Sequence, residues 1–162
     1  MKNLIIVTGG ADFIGSNLIQ ILLDNNKSKI LSIENYSTSK KKNHIKSKRI
    51  KYINDNTKNI SKILKLNKKK IIVIFHFGEF SRIYQSFSKM NECLDSNTVG
   101  SHEVFNFCLK NKIKLVYSAT SASIGNKGQD KNLSPYAFSK SKNLEILENF
   151  KKWFGLKYEI IY

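Results

Sequence analysis

Tyr136-Ala137-Phe138-Ser139-Lys140 sets a phenol and an ammonium four residues apart. On a helix that spacing is one turn, so the two side chains share a face. A tyrosine titrating near ~10 is a poor base at neutral pH. A lysine one turn away stabilises the phenolate and moves it toward the range in which it can take a proton from an alcohol. Ser134-Pro135 stands just ahead of the motif, and proline suits the first turn of a helix.

A second chemical signal lies near the N-terminus. Thr8-Gly9-Gly10-Ala11-Asp12-Phe13-Ile14-Gly15 follows a short apolar run and precedes a segment of helical periodicity. A glycine-rich turn between strand and helix is the context that a dinucleotide fingerprint requires. Gly9 is the candidate for the tight turn and Gly15 for close packing of helix on strand. Gly10, Asp12, Phe13 and Ile14 complete the candidate phosphate loop, where free N–H groups at a helix start would face a pyrophosphate. Glu34 comes about 20 residues later, where an acid can accept hydrogen bonds from the ribose hydroxyls of NAD and repel the extra phosphate of NADP.

The elements that must hold these residues alternate. Strands are expected at Asn3–Thr8, Lys29–Glu34, Ile50–Ile53, Ile71–Phe77, Ile113–Ser118 and Lys157–Ile161. Helices are expected at Ile14–Leu23, around Ile60–Leu66, at Asp95–Lys110 and at Ser134–Phe154. Ile14, Leu18, Ile21 and Leu22 are expected to form the buried face of the first helix. Asn35–Lys48 reads as a polar loop with a weak helical turn. The continuous apolarity of Ile71–Phe77 predicts burial on both faces, as in a parallel sheet. Repeated βα units of this kind imply an α/β fold, a Rossmann-type doubly wound parallel sheet, in a single domain spanning 1–162.

With these elements in place, the motifs resemble one family. Thr8–Ser16 resembles the TGGAGFIGS loop of extended short-chain dehydrogenase/reductases, the group that holds NAD-dependent nucleotide-sugar epimerases and dehydratases. Glu34-Asn35-Tyr36-Ser37-Thr38 is similar to the family's acid-Asn-Leu-Ser-Thr stretch. Tyr117–Gly125 is similar to its strand-five segment, with Thr120 on the Ser/Thr position and Ile124 where the family has tyrosine. Phe75-His76-Phe77-Gly78 resembles the end of strand four, and Asn97 with Gly100 the N-x-x-G of the next helix. The resemblance covers residues 3 to 162. It implies that Thr120, Tyr136 and Lys140 are catalytic. It implies NAD as cofactor, held by the loop, Glu34, Asn35, Asp55, Asn97, Tyr136 and Lys140. Substrate contacts would come from Thr120 and Arg82. Asn97 would brace backbone, and His76 would be structural.

The resemblance implies NAD-dependent epimerisation of a nucleotide-sugar through a transient keto-sugar. The run Thr120-Ser121-Ala122 lacks the carboxylates that dehydratases carry there, which favours epimerisation over dehydration. Family members continue for about as many residues again, so the C-terminal substrate-binding part is expected to be absent here. A homodimer or a complementary C-terminal chain is the expected partner. The alternative is a catalytically silent NAD-binding remnant, or a subunit that needs a second chain. Asp12 stands where the family loop has glycine. Its charge is expected to oppose a pyrophosphate, and aspartate tolerates the left-handed backbone such a position can require.

Composition narrows the field. The net charge is +16, yet Arg49 and Arg82 are the only arginines, and the lysines are scattered as in an AT-rich coding bias. That reads as solvated surface rather than a nucleic-acid site. No apolar run approaches the ~20 residues of a membrane span, and Leu4–Val7 is too short for a signal peptide, so the cytoplasm is expected. Cys93 and Cys108 form no CxxC or metal spacing and read as packed, reduced thiols.

Overall fold

Leu4–Thr8 forms β1 at the centre of a six-stranded sheet in a computed structural model that describes residues 3–162, apart from the side chains of Ser123 and Asn126. The other strands are β2 (Lys29–Glu34), β3 (Ile50–Asn54), β4 (Ile71–His76), β5 (Lys114–Ser118) and β6 (Tyr158–Ile161). Their order is β3-β2-β1-β4-β5-β6, and every pair is parallel. The chain therefore reverses its direction of winding between β1 and β4. In open α/β sheets that switch point is where ligands bind, beyond the carboxyl ends of the strands.

Helices cover the sheet unevenly. One apolar layer joins Ile6, Leu31, Ile74, Leu115 and Tyr117 of the strands to Ile60 of α2 (Ile60–Ile63), Phe105 of α5 (Ser101–Asn111) and Leu147 of α6 (Pro135–Phe154). On the opposite face, Ile5, Val7 and Ile30 pack against Ile19 and Leu23 of α1 (Phe13–Asn25), while Val73, Phe75 and Phe77 are only partly buried there. Among the described residues α1 is the one helix that contributes to this second layer.

Local chemistry explains the helix ends. Ser134 caps α6, its hydroxyl accepting from the Ala137 N–H at 3.0 Å, and Pro135 occupies the first turn. Gly155 stops the helix in left-handed geometry, φ 73°. Arg49 donates to the carbonyls of Leu23 and Asn26 and so closes the C-terminal end of α1.

Three expectations are revised. Ile14 and Ile21 are 59% and 58% exposed, and the buried residues of α1 are Gly15, Ile19 and Leu23. The helix is turned so that Gly15 faces the loop after β1, which only a residue without a side chain permits. The helix expected at Asp95–Lys110 begins earlier. A short α3 (Gln85–Ser88) precedes α4 (Met90–Leu94), and a π-helical turn, Asp95–Gly100, joins α4 to α5. The helix expected around Ile60–Leu66 is a single α-helical turn flanked by 3-10 segments. No helix among the described residues is long and apolar enough to cross a membrane.

Candidate active site

The loop after β1 is held by close backbone approach. Gly9 has φ +73°, and a Cβ there would stand 2.8 Å from the Gly78 nitrogen and the Phe77 carbonyl carbon beyond β4. A Cβ on Gly15 would stand 2.2 Å from the Gly9 oxygen. Side chains are thus excluded where the loop, α1 and the end of β4 converge. The start of α1 is left bare, with Phe13 83% exposed and Ile14 also exposed. Gly10 packs inward, its Cβ position lying 2.5 Å from the Ser32 hydroxyl.

Glu34 sits under this loop, 3% exposed. Its Oε1 accepts from the Ala11 N–H at 2.9 Å and the Ser32 hydroxyl at 3.0 Å, and Oε2 accepts from the Ser39 hydroxyl at 3.3 Å. Burial holds its carboxyl above the usual range, opposed by those hydrogen bonds. A shallow cleft runs past it. The β1–β3 half contributes Gly9, Asp12, Glu34, Asn35 and Asp55 to its walls, and the second half contributes Gly78, Glu79 and Ser96. Asp55 accepts from the Asn56 N–H and the Asn59 amide, both at 2.7 Å.

Asp12 departs from expectation in its backbone. It is the residue before α1, with φ −87°, so the position does not demand left-handed geometry. Its carboxylate does not cap the helix either. It turns aside and accepts the Thr38 hydroxyl at 3.1 Å.

Thr120 ends the stretch after β5 and is buried. Its hydroxyl accepts from the Ala122 N–H at 3.3 Å. Tyr136 and Lys140 rise from the first turns of α6. Burial pushes the Tyr136 phenol above its ordinary value; the nearby Thr120 hydroxyl opposes this, and the negative charge of Glu79 adds to it. Lys140 is 2% exposed. Its ammonium donates to Glu79 and to the Ser118 carbonyl, and lies 4.3 Å from the centroid of the Tyr117 ring. The fold thus brings Thr120, Tyr136 and Lys140 together. It does not bring Arg82 to them by any hydrogen bond or ion pair. Arg82 is exposed, at the turn before α3.

Two buried residues hold the backbone and side chains around the site. Asn97 is the expected backbone brace, and its amide is engaged away from the cofactor loop: it accepts the Phe80 N–H at 2.7 Å and donates to the Phe80 carbonyl and the Ser139 hydroxyl. It fixes the segment after β4. His76 is buried between the Thr8 hydroxyl at 2.7 Å and the Ser101 hydroxyl at 2.9 Å, and burial depresses it to about 4.

Sequence reasoning did not find the network around Glu79. Besides Lys140, this carboxylate accepts from the Ser101 hydroxyl at 2.6 Å, the Tyr117 hydroxyl at 3.0 Å and the Asn143 amide at 3.1 Å. The available signal was a carboxylate placed directly after an apolar strand that ends in a fold-defining turn.

The strand order, the glycine turn and the acid that ends β2 define a doubly wound fold of the Rossmann type. Residues 5–161 match the NAD dependent epimerase/dehydratase family, and the chain belongs to it. The ADP-L-glycero-D-manno-heptose-6-epimerase of Brachyspira hyodysenteriae is 33% identical over 147 residues, which cover 85% of this chain and 46% of that protein. The UDP-N-acetylglucosamine 4-epimerase of Methanobrevibacter ruminantium, solved with UDP-N-acetylmuramic acid, aligns over 99% of this chain and 54% of its own, with TM-score 0.83 and 28% identity. The Thermus thermophilus UDP-glucose 4-epimerase, solved with NAD, shares the fold with TM-score 0.83 at 21% identity, over 97% of this chain and 53% of that one. The chain spans about half the length of the curated relatives it matches.

Proposed function

We propose that this chain is a single NAD-binding Rossmann domain, residues 1–162, which serves as the cofactor-binding and catalytic half of a nucleotide-sugar epimerase. The observation that carries the reading is the loop closed to side chains at Gly9 and Gly15, in a cleft whose Glu79 wall holds Lys140 one turn from Tyr136. That loop fits a dinucleotide: the space at Gly9 and Gly15 is closed to any Cβ, and the bare start of α1 offers N–H groups to a pyrophosphate. Glu34, Asn35 and Asp55 would hold the adenosine end.

When bound, NAD supplies a reversible hydride acceptor. The protein's part is proton transfer and positioning. Tyr136 Oη removes the proton of a sugar hydroxyl while Thr120 Oγ1 orients that hydroxyl. The resulting keto-sugar turns, and Tyr136 returns the proton after hydride reaches the other face. The absence of carboxylates in Thr120-Ser121-Ala122 favours this sequence over loss of water. Gripping the nucleotide and sugar is assigned to a further half, either a continuation or a second chain. Positioning of that kind supplies ~7–11 kcal/mol of barrier reduction.

A second reading, a catalytically silent NAD-binding subunit, is favoured by one observation: the Lys140 ammonium is engaged by Glu79. The experiment is to incubate the purified chain with excess NAD and a panel of UDP-, GDP-, CDP- and ADP-sugars, with chromatographic detection of products. NAD binding with negligible turnover is expected, and turnover on adding a complementary chain. Epimerisation at ordinary enzyme rates by the chain alone would overturn the half-site reading. Silence with a complementary chain would favour the second reading.

A further inference from the structure

Four of the five ion pairs among the described residues join side chains that are at least 44% exposed. The fifth, Glu79–Lys140, joins side chains that are 4% and 3% exposed. A buried pair of this kind is seldom a net gain in stability over apolar packing, so its position calls for a reason. Three separate elements orient the carboxylate: Ser101 at the start of α5, Tyr117 of β5 and Asn143 of α6. Glu79 also lines the cleft.

We propose that Glu79 is a positioning residue that fixes Lys140 in a neutral, buried pair and so sets the charge that Tyr136 experiences. The proposal rests on Tyr136 being the proton-transferring group. A free lysine one turn away would favour the phenolate. The paired lysine presents almost no net charge, so Tyr136 keeps its proton until positive charge is delivered from within the cleft. The groups around the phenol agree with this. Burial opposes its ionisation first, the negative charge of Glu79 and Cys93 of α4 add to that, and the Thr120 hydroxyl favours it. His76, which faces Glu79 from β4, is neutral at physiological pH and supplies no compensating charge.

The test follows Tyr136 ionisation directly, by NMR of ring-labelled tyrosines, with the resonance assigned by Tyr136→Phe. Glu79→Gln keeps the shape and most hydrogen bonds while removing the negative charge. Its Tyr136 midpoint is expected to fall by about one pH unit, as for a unit charge a few ångströms away in partly buried protein. Glu79→Gln combined with Lys140→Gln restores neutrality, and the midpoint should return to within about half a unit of wild type. An unshifted Glu79→Gln midpoint, or a double variant that follows the single one, overturns the proposal. If Glu79→Gln alone does not fold, the double variant together with Lys140→Gln decides: the first must match wild type and the second must titrate higher. NAD titration of the same samples is read separately. Absent binding in wild type would overturn the functional reading and leave the midpoints meaningful.

Discussion

The Asp12 carboxylate accepts the Thr38 hydroxyl at 3.1 Å, across 26 residues of sequence, and is thereby drawn to the side of the loop that precedes α1. A negative charge at ~5 Å from a phosphate costs about 1–3 kcal/mol between water-like and surface-like dielectrics. Asp12→Gly is therefore expected to tighten NAD several-fold, less so at high salt. Thr38→Val frees the carboxylate and should weaken NAD. Calorimetric titration at two ionic strengths checks both, and unchanged affinity in Asp12→Gly would mean that the carboxylate stays clear of the phosphates.

Cofactor choice is tested at Glu34. NAD should bind more tightly than NADP, and Glu34→Ala should narrow the gap. Glu34→Ala should also weaken NAD by disordering the loop, because it removes the acceptor for the Ala11 N–H. The carboxyl is raised above its ordinary value by burial. The folded state thus holds this proton more tightly than the unfolded chain does. The associated stability is present at low pH and is lost as pH rises through the folded value. NAD binding has the opposite sense: on acidification the ribose acceptor is lost at a higher pH than for an ordinary carboxylate, because burial raises Glu34. Wild-type affinity should fall on acidification before an ordinary carboxylate would titrate, and Glu34→Gln should stay flat.

His76 predicts a separate acid sensitivity. Its folded value is about 4, below the ~6.5 of an unfolded histidine. Stability from the neutral ring is full above pH ~6.5 and declines as pH falls toward 4, by about 3 kcal/mol in all. Urea unfolding of wild type and His76→Asn across that range should converge as the pH is lowered. Parallel curves would mean that the histidine titrates normally.

Gly9 and Gly155 share φ +73° but not their surroundings: a Cβ on Gly9 meets backbone at 2.8 Å, whereas Gly155 has nothing within 4 Å. Gly155→Ala should cost about 1 kcal/mol, the left-handed penalty alone. Gly9→Ala should cost at least twice that and abolish NAD binding. Thermal unfolding distinguishes them, and equal costs would show that the β1–β4 contact yields easily.

What was legible in the sequence was whatever depends on local pattern. The six strands follow from apolar runs, α6 from Ser134-Pro135 and Gly155, and the tight turn from Gly9. Thr120, Tyr136 and Lys140 could be singled out because each sits in a recognisable string. The pairing of Lys140 was not legible, because its carboxylate partner lies 61 residues away. A lone glutamate after a strand carries no mark of the four donors that will surround it. Likewise the buried face of α1 followed from backbone contact at Gly15 rather than from the spacing of its isoleucines. Asn97 could be placed as a brace, but the π turn that aims its amide at Phe80 has no periodic signature.

The reversal of strand order between β1 and β4 bears on how the molecule comes apart. β1–β3 and β4–β6 share a single hydrogen-bonded ladder, β1 with β4, and the candidate cleft takes its walls from both sides of that seam. A ligand lying across it would act as a bolt between two subdomains, drawing separate openings into one concerted transition. Saturation at a hundred times the dissociation constant would add ~2.7 kcal/mol to the whole. Amide exchange in β2 and in β5, strands that never touch, would then slow together.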